Sequence, residues 1–502
     1  MSLGKVQMLA HKKIKKLLEL FNKKHYEKAE NLACSLTKEF PEQPTPWTVL
    51  GAIYMQTSRP EEALTVFQKS ASLTPSDPHV WNNLGAGMKA LSRFDQAEKC
   101  FRKALELNPK FSGAINNLAI TKKTLGEFGD AEALYRKAIK ITPNSAVNYN
   151  NLGILLNELN RFKESEKYFK RAVELNPAYF QAWNNLGTSL NKLGRLKEAK
   201  ISFDRAIELS PGYTTALNNR SKLLFDQMEF RLAIKDAEAC NSEEAKERIL
   251  AALYALGDIV EIQKRLKAYS ETDVTSLRVA AFSSFMSARQ GADFEYKFCN
   301  HPLSFIHVTQ LSSNVENPNN FIKNIINELG EVKTVWETSD KATKKGFQTL
   351  SCINLFSDPS DNLRKLENII RIELDAYHQK FENETCTLIK KWPSSYKLHG
   401  WHVILKQQGY QEPHIHPSGW LSGVIYLQVV PSLGKNEGAI EFTLNSLNYS
   451  DKRSPNQIYQ PSVGDIVLFP SSLHHRTIPF TTDSDRIIIA FDLLPDEVVK
   501  DG

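Results

Sequence analysis

Six prolines recur at intervals of 34 residues through the first half of the chain, and this spacing constrains the fold more than any other feature of the sequence. They are Pro41, Pro75, Pro109, Pro143, Pro177 and Pro211. No common fold other than a repeat array keeps such a period, and each unit is then a helical hairpin that cannot bury its apolar face alone. The spacing therefore predicts a run of stacked helix pairs.

Other residue types keep the same period, which is the period of the tetratricopeptide repeat. Aromatic residues, glycines, alanines and a second set of aromatics recur at four fixed positions: Trp47, Trp81, Tyr149 and Trp183; Gly51, Gly85, Gly153 and Gly187; Ala63, Ala97, Ala131 and Ala199; Phe67, Phe101, Tyr135, Phe169 and Phe203. The alanines mark where two helices approach closely, and the second aromatics fill the groove between repeats. We predict an α-superhelix of tetratricopeptide repeats over residues 10–245.

The pattern weakens at both ends of the array. The helix near Ile14 lacks the Trp and Gly, and the unit from Tyr213 to Cys240 carries Leu217 and Ser221 at those positions. Residues 246–295 keep a helical period without the motif, so we interpret them as degenerate capping helices.

Paired asparagines recur at one position of the first helix in five repeats. The second member of each pair is Asn83, Asn117, Asn151, Asn185 or Asn219. A carboxamide both donates and accepts hydrogen bonds, so it can pair with a peptide backbone without reading its side chains. These positions resemble the asparagine ladder of the O-linked N-acetylglucosamine transferases, which implies a concave face that holds an extended polypeptide. The alternative is that Asn-Leu-Gly is common in tetratricopeptide consensus sequences.

A predicted linker follows the helical region. Residues 296–320 contain loop-forming sequence and are predicted as a linker. Residues 321–397 show helical patterns at Phe321–Leu329 and Asn362–Phe381, which we predict support a sheet.

From residue 398 to 495 the pattern becomes strand-like. Candidate strands, separated by turn signals, are Gly400–Lys406, Trp420–Val430, Gly438–Leu444, Asp465–Phe469 and Arg486–Leu493. Many short antiparallel strands around a small cavity favour a jelly roll (a double-stranded β-helix). The predicted fold class is therefore multidomain α + β, with a helical superhelix, buttressing helices and a jelly roll.

Histidines concentrate in this last segment. His414 and His416 stand one residue apart, so in an extended strand their side chains point the same way. The chain returns to histidine at His474 and His475, and Arg486 follows eleven residues after His475. The close pair, one later histidine and the arginine together predict one functional site.

The order of these motifs resembles the iron(II)/2-oxoglutarate-dependent oxygenases of the prolyl-hydroxylase-like branch. The resemblance is carried by His-x-His, Gly-Ala-Ile-Glu-Phe (438–442), Gly-Asp-Ile-Val-Leu-Phe-Pro (464–470), His-Arg-Thr-Ile-Pro (475–479) and the later arginine. It implies that His414, His416 and His475 hold Fe(II) and that Arg486 grips the distal carboxylate of 2-oxoglutarate with its planar fork. It further implies that iron, 2-oxoglutarate and dioxygen together hydroxylate a C–H bond.

Two positions depart from that family. Most members have Asp or Glu where this chain has His416, which leaves no carboxylate ligand. The residue two after the arginine is often Ser but is Ile488 here, so another hydroxyl, that of Tyr426, is expected to assist.

Two other functions stay open at this point. A tetratricopeptide scaffold could carry a non-catalytic, cupin-like binding module, which the absent carboxylate favours. Three histidines also make a catalytic zinc site, as in a zinc hydrolase, although Arg486 at the oxygenase spacing argues against it.

Composition gives the remaining expectations. The net charge of +6 over 502 residues is too small to indicate nucleic-acid binding, and no apolar run is long enough for a membrane span. Six scattered cysteines without Cys-x-x-Cys indicate reduced thiols, and the start of the chain has no apolar leader, so we expect a cytoplasmic protein. The expected partner is a protein or peptide on the concave face of the repeats.

Overall fold

Helices fill the first part of the chain as the 34-residue period predicts. The structure, a computed structural model, describes residues 3–291, 294, 296–337 and 341–496. Contacts divide the chain into two units, one of Met1–Asn157 and Glu164–Pro177 and the other of Glu158–Lys163 and Ala178–Gly502. The limits of the five predicted segments stay predictions.

The first unit is built of helix pairs. Its helices are α1 Leu3–Asn22, α2 Tyr26–Glu39, α3 Pro44–Gln56, α4 Pro60–Leu73, α5 Pro78–Ala90, α6 Phe94–Leu107, α7 Ser112–Thr124, α8 Phe128–Ile141, α9 Ala146–Glu158 and α10 Phe162–Leu175. The last residue of α9 and the first two of α10 are assigned to the second unit. The periodic prolines follow the second helix of each pair; Pro75, for example, begins the turn after α4. Proline suits this place because it cannot continue the helix.

The periodic glycines and aromatics pack against each other within a pair. A Cβ added at Gly153 would lie 2.6 Å from the ring of Phe169, and one at Gly85 would lie 2.6 Å from the ring of Phe101. The periodic alanines are fully buried, as Ala97 shows. The repeat motif therefore records the close approach of two helices.

Within the described residues, the second unit begins with seven further helices, of which the last three lack the repeat motif. They are α11 Phe180–Lys192, α12 Leu196–Leu209, α13 Thr214–Asp226, α14 Phe230–Cys240, α15 Glu243–Leu256, α16 Ile259–Thr272 and α17 Leu277–Gln290. The helices α15 to α17, which lack the repeat motif, share a hydrophobic core with the sheet that follows. Phe282 and Phe285 of α17 each have their ring centroid 4.9 Å from that of Tyr449.

An antiparallel, curled sheet follows these helices in the second unit. Its strands are β1 His307–Gln310, β2 Thr334–Trp336, β3 Thr343–Thr349, β4 Tyr396–His414, β5 Leu421–Gln428, β6 Ile440–Thr443, β7 Asn456–Tyr459, β8 Asp465–Pro470, β9 His474–Thr477 and β10 Arg486–Pro495. The order along the sheet is β1-β8-β5-β10-β4-β9-β6-β7, with β3 between β2 and β4. This is the predicted jelly roll.

The long strand β4 joins the two halves of the jelly roll. Its first ten residues pair with β10, from Tyr396 opposite Pro495 to Leu405 opposite Arg486. Its end pairs with β9, with Gln411 opposite Thr477. One strand thus brings the arginine strand and the histidine strand to the same region.

Helices and short strands support this sheet. They include the 3₁₀ turns Pro302–Phe305 and Leu311–Ser313, and α18 Pro318–Leu329, α19 Asp361–Lys380 and α20 Thr387–Lys390. The predicted apolar face of α19 is buried, including Leu366 and Ile370. Part of the predicted linker 296–320 belongs to the sheet, since β1 pairs with β8.

Candidate metal and 2-oxoglutarate site

Two histidines from neighbouring strands face each other at the centre of the site. His414 ends β4 and is the register partner of His475 in β9, and their ring centroids lie 4.3 Å apart. The ring centroid of His416 lies 5.2 Å from that of His414 and 5.0 Å from that of His475. Candidate ligand atoms of the three residues all lie within 4.8 Å of one another. Such a cluster of imidazoles can hold one metal ion.

His414 and His416 do not come together through the alternation of side chains along one strand. The strand β4 ends at His414, so His416 lies in the turn beyond it. The backbone N–H of His416 donates to the Ser471 carbonyl at 3.1 Å, which anchors this turn beside β9. The turn, rather than the pleat of a strand, brings His416 to the cluster.

Hydrogen bonds fix which nitrogen each histidine offers. Nδ1 of His414 donates to the Glu412 carbonyl at 2.7 Å, and Nδ1 of His475 donates to the Leu473 carbonyl at 3.1 Å. Nδ1 of His416 donates to Oδ1 of Asp492 at 2.6 Å. Each ring then presents Nε2 with its lone pair, which is the form that binds a metal.

Burial keeps two of these rings neutral. Desolvation, reinforced by the neighbouring His416, lowers the pKa of His414 to about 4. Desolvation and the neighbouring His414 and His416 hold the pKa of His475 well below its ordinary value. At neutral pH these two imidazoles are therefore uncharged and able to act as ligands.

Arg486 is the largest fully buried side chain of the described chain. It begins β10 and is 1% exposed, with Nε donating to the Gly438 carbonyl at 3.1 Å. Its Nη1 has no hydrogen-bond partner among the described residues, and burial lowers its pKa. Arginine still stays protonated in proteins, and a buried cation without an anion is unfavourable. The unpaired donor therefore indicates a place for an anionic ligand.

Tyr426 lies beside this arginine. The guanidinium carbon of Arg486 is 5.0 Å from the centroid of the Tyr426 ring, and Tyr426 Oη also has no partner within the described part of the chain. Burial raises the pKa of Tyr426 to about 12, although Arg486 opposes this, so the phenol stays protonated. Two buried donors thus lie side by side without acceptors, as the predicted carboxylate contact requires.

One cavity connects the histidine cluster with this arginine. Its volume is about 630 Å³, and its lining includes all three clustered histidines, Arg486 and Tyr426. The rest of the wall near the arginine is largely apolar, including Val424 and Ile488 of β5 and β10. A small dicarboxylic acid fits the donor set, because one end can meet the arginine while the other reaches the histidines.

Two further histidines lie outside the cluster. The ring of His474 is 6.0 Å from that of Tyr449, and burial lowers the pKa of His474 to about 3. Nδ1 of His402 is 2.8 Å from Oγ1 of Thr349, and His402 is buried in β4. Neither is among the residues that line the cavity.

Asp492 is a site residue that the motif comparison did not single out. It lies on β10 in the alternating series 486, 488, 490, 492 and 494, all of which line the cavity. Oγ of Ser422 donates to Asp492 Oδ1 at 2.7 Å. The available signal was a carboxylate inside an otherwise apolar strand, at an even spacing from the arginine.

The candidate substrate asparagines lie on the first helices of their repeats and not at the cavity. All five are half-buried; Asn83, Asn117 and Asn151 belong to the first unit, and Asn185 and Asn219 to the second. The Asn117 amide donates to Asn82 Oδ1, and the Asn219 amide donates to Asn184 Oδ1, both at 2.9 Å. Some of the predicted ladder therefore already links consecutive repeats, which uses one of the two N–H donors of each amide.

Family models match both parts of the chain. Residues 399–492 match the family described as "Putative 2OG-Fe(II) oxygenase". Residues 58–176 match the middle TPR-like domain of cilia and flagella-associated protein 70, and residues 150–214 match the tetratricopeptide repeat. The chain contains tetratricopeptide repeats within residues 58–214. It joins these repeats to a C-terminal domain of the 2OG-Fe(II) oxygenase type, which supports an oxygenase that uses Fe(II), 2-oxoglutarate and dioxygen.

Solved structures also resemble the chain. The Cut9–Hcn1 hetero-tetramer of the APC/C is 19% identical over 47% of this chain and 48% of that chain, with a TM-score of 0.41. PilF of Pseudomonas aeruginosa is 22% identical over 41% of this chain and 96% of that one, with a TM-score of 0.36. YrrB, described as a TPR protein with an unusual peptide-binding site, is 22% identical over 36% and 95%, with a TM-score of 0.29. About half the length of the first of these chains is matched.

Among curated proteins, no significant match was found. Within the described residues, no helix has both the length and the apolar character that crossing a bilayer demands. Tetratricopeptide repeats generally mediate protein–protein interaction.

Proposed function

We propose that the C-terminal domain is an iron(II)- and 2-oxoglutarate-dependent dioxygenase that hydroxylates a C–H bond. One observation carries the proposal: three converging imidazoles and an unpaired buried arginine donor line the same cavity. A dead binding module has no need of this combination, and a zinc hydrolase has no need of the arginine.

The roles follow from the donor set. His414, His416 and His475 would hold the iron, and Arg486 with Tyr426 would hold the distal carboxylate of 2-oxoglutarate. Arginine suits this contact because its planar fork donates two parallel hydrogen bonds to a carboxylate. When bound, iron and 2-oxoglutarate supply the oxidising chemistry by activating dioxygen. The apolar residues of the cavity wall, such as Val424 and Ile488, would limit the access of water to this chemistry.

We further propose that the substrate is a protein or peptide recruited by the repeats. The repeated asparagines support this, because their carboxamides can meet a polypeptide backbone at a regular spacing. We also propose a reducing compartment such as the cytoplasm, because the six cysteines are scattered along the sequence without a Cys-x-x-Cys motif.

Succinate formation tests the proposed chemistry. The full-length protein, incubated with Fe(II), 2-oxoglutarate and air, is expected to release succinate slowly even without its protein substrate. The protein loaded with Zn(II) is the control and should release none. Ester or peptide hydrolysis by the zinc form would instead indicate the hydrolase, and absence of both activities would indicate a binding module.

A further inference from the structure

The three clustered histidines differ in what holds their Nδ1 atoms. His414 and His475 donate to backbone carbonyls, which are neutral, whereas His416 donates to the Asp492 carboxylate at 2.6 Å. One ring of the three is thus hydrogen-bonded to a negative charge. A carboxylate behind a ligating histidine raises the basicity of that ligand and fixes its orientation.

Asp492 has no other charged partner in the described part of the chain. It is 7% exposed, and its only ion-pair contact is with His416. A buried carboxylate without a cation is unfavourable. A divalent ion bound to Nε2 of His416 would supply the missing positive charge. The His416 ring would then lie between the ion and the Asp492 carboxylate.

A built pocket holds this carboxylate in place. Oγ of Ser422 donates to Asp492 Oδ1 and lies 2.7 Å from Oγ of Ser471, which must therefore donate to Ser422. A Cβ added at Gly419 would lie 2.7 Å from Ser471 Oγ and 3.0 Å from Asp492 Cγ. The turn after His416 thus packs directly on the carboxylate, and only glycine fits there.

We propose that Asp492 is a positioning residue that acts through His416 as the anionic member of the metal centre. The 2-oxoglutarate oxygenases that this domain resembles mostly place a carboxylate at the position of His416, so three neutral imidazoles would leave the ion with its full charge. Asp492 supplies one negative charge, which is hydrogen-bonded to the ring of His416. This inference rests on the proposed function, because it needs a metal ion at the three histidines.

Replacing the carboxylate by its neutral isostere isolates this role. Asn in Asp492→Asn can still accept the Nδ1–H bond through its oxygen, so the ring stays aimed while the charge is lost. The matched control is Glu441→Gln, which removes another carboxylate of the same domain that is nearly buried and bonded to Arg476 at 2.5 Å and to Asn456 at 2.8 Å. Thermal unfolding of the metal-free proteins verifies that each variant is folded.

Two measurements on the full chain report the effect. Titration with Co(II) is expected to show a dissociation constant about 10–100-fold higher for Asp492→Asn than for the wild type or Glu441→Gln. The midpoint potential of bound iron is expected to rise in Asp492→Asn, because the lost charge stabilises the ferric more than the ferrous ion. A purely structural role would not move this potential.

Ser422→Ala gives a second variant in case Asp492→Asn does not fold. It keeps the carboxylate but removes the hydroxyl that holds it, so a smaller weakening of Co(II) binding and a smaller rise in potential are expected. Unchanged affinity and potential in the folded variants would overturn the inference while leaving the proposed oxygenase intact. A wild-type protein that binds no metal would overturn both.

Discussion

His414 and His475 are direct cross-strand partners, and each ring is aimed by a carbonyl two residues earlier in the chain. This relationship makes the metal site depend on the pairing of β4 with β9, and it distinguishes His475 from its neighbour His474. His474 instead lies against Tyr449.

Substitution of His475 is therefore expected to differ sharply from substitution of His474. His475→Ala should abolish iron binding and succinate formation, because it removes one of three ligands. His474→Ala should retain measurable metal binding and activity, with a loss of stability of about 1–3 kcal/mol because a buried side chain is removed. Metal content after dialysis and succinate release measure the two effects. Loss of the metal in His474→Ala alone would show that the ligand assignment is wrong.

Arg486 should control the affinity for 2-oxoglutarate. Arg486→Gln removes a buried charge that faces an anionic ligand, and such losses are about 2–5 kcal/mol, so KM for 2-oxoglutarate should rise at least about 30-fold. Tyr426→Phe removes a single neutral donor, worth about 0.5–1.5 kcal/mol, and should raise KM only about two- to twelvefold. Succinate release as a function of 2-oxoglutarate concentration measures both. Arg476→Gln, which changes a partly exposed arginine of β9, should leave KM unchanged.

The repeated asparagines should matter for capture of a protein substrate and not for the chemistry. Changing Asn117, Asn151 and Asn185 together to Ala should raise KM for that substrate about tenfold or more, since each exposed hydrogen bond contributes about 0.5–1.5 kcal/mol. Succinate release without substrate should stay the same. The exposed loop residue Asn144, changed to Ala, is the control. A triple variant with unchanged KM would mean that these asparagines serve only the repeat fold.

Glycine substitutions test the packing of the repeats. Gly153→Ala places a Cβ 2.6 Å from the Phe169 ring, and such overpacking destabilises by about 1–3 kcal/mol. Gly129→Ala in α8 has no atom within 4 Å of the new Cβ and should stabilise by about 0.4–1 kcal/mol. Denaturant unfolding compares the two. Equal effects would contradict the close helix approach.

Acidification should destabilise the sheet through His402. Burial lowers the pKa of His402 to about 4 in the folded state, against 6.5 for an exposed histidine. The unfolded chain then binds more protons between these values, so the free energy of unfolding falls as pH drops from 6.5 towards 4, by up to about 3 kcal/mol from this residue. His402→Gln should lessen that fall, measured by denaturant unfolding at several pH values. The same pH dependence in the variant would assign the fall to other groups.

Much of the architecture was predictable because it follows regular periods in the sequence. The 34-residue spacing predicts the helix pairs, and long apolar strands such as β5 and β10 begin and end within two residues of their predicted limits. The strands β1, β2, β3, β7 and β9 were not predicted, because most are short and all contain polar residues, so their place in the sheet comes from pairing with other strands. His-x-His predicted a cluster, but the route to it was a turn, which alternation does not describe.

The surroundings of the histidines were less predictable than the histidines themselves. Motif spacing identifies residues that resemble a family, whereas Asp492 and Ser422 come together only through the register of β5 with β10, in which Ser422 is opposite Asp492. The partial use of the asparagines inside the array likewise depends on a contact between consecutive repeats. The pairing of Ser422 with Asp492 and the contacts between asparagines of consecutive repeats are both tertiary contacts. A single sequence does not reveal them.

The bonds from His414 to the Glu412 carbonyl and from His475 to the Leu473 carbonyl have a consequence for protein design. In each case, a stretch of three residues contains both the ligand and the group that orients it. Two such tripeptides grafted opposite each other on another antiparallel pair should bring along their own ring orientation. A designer would then need to supply only the third ligand and its carboxylate from the new scaffold.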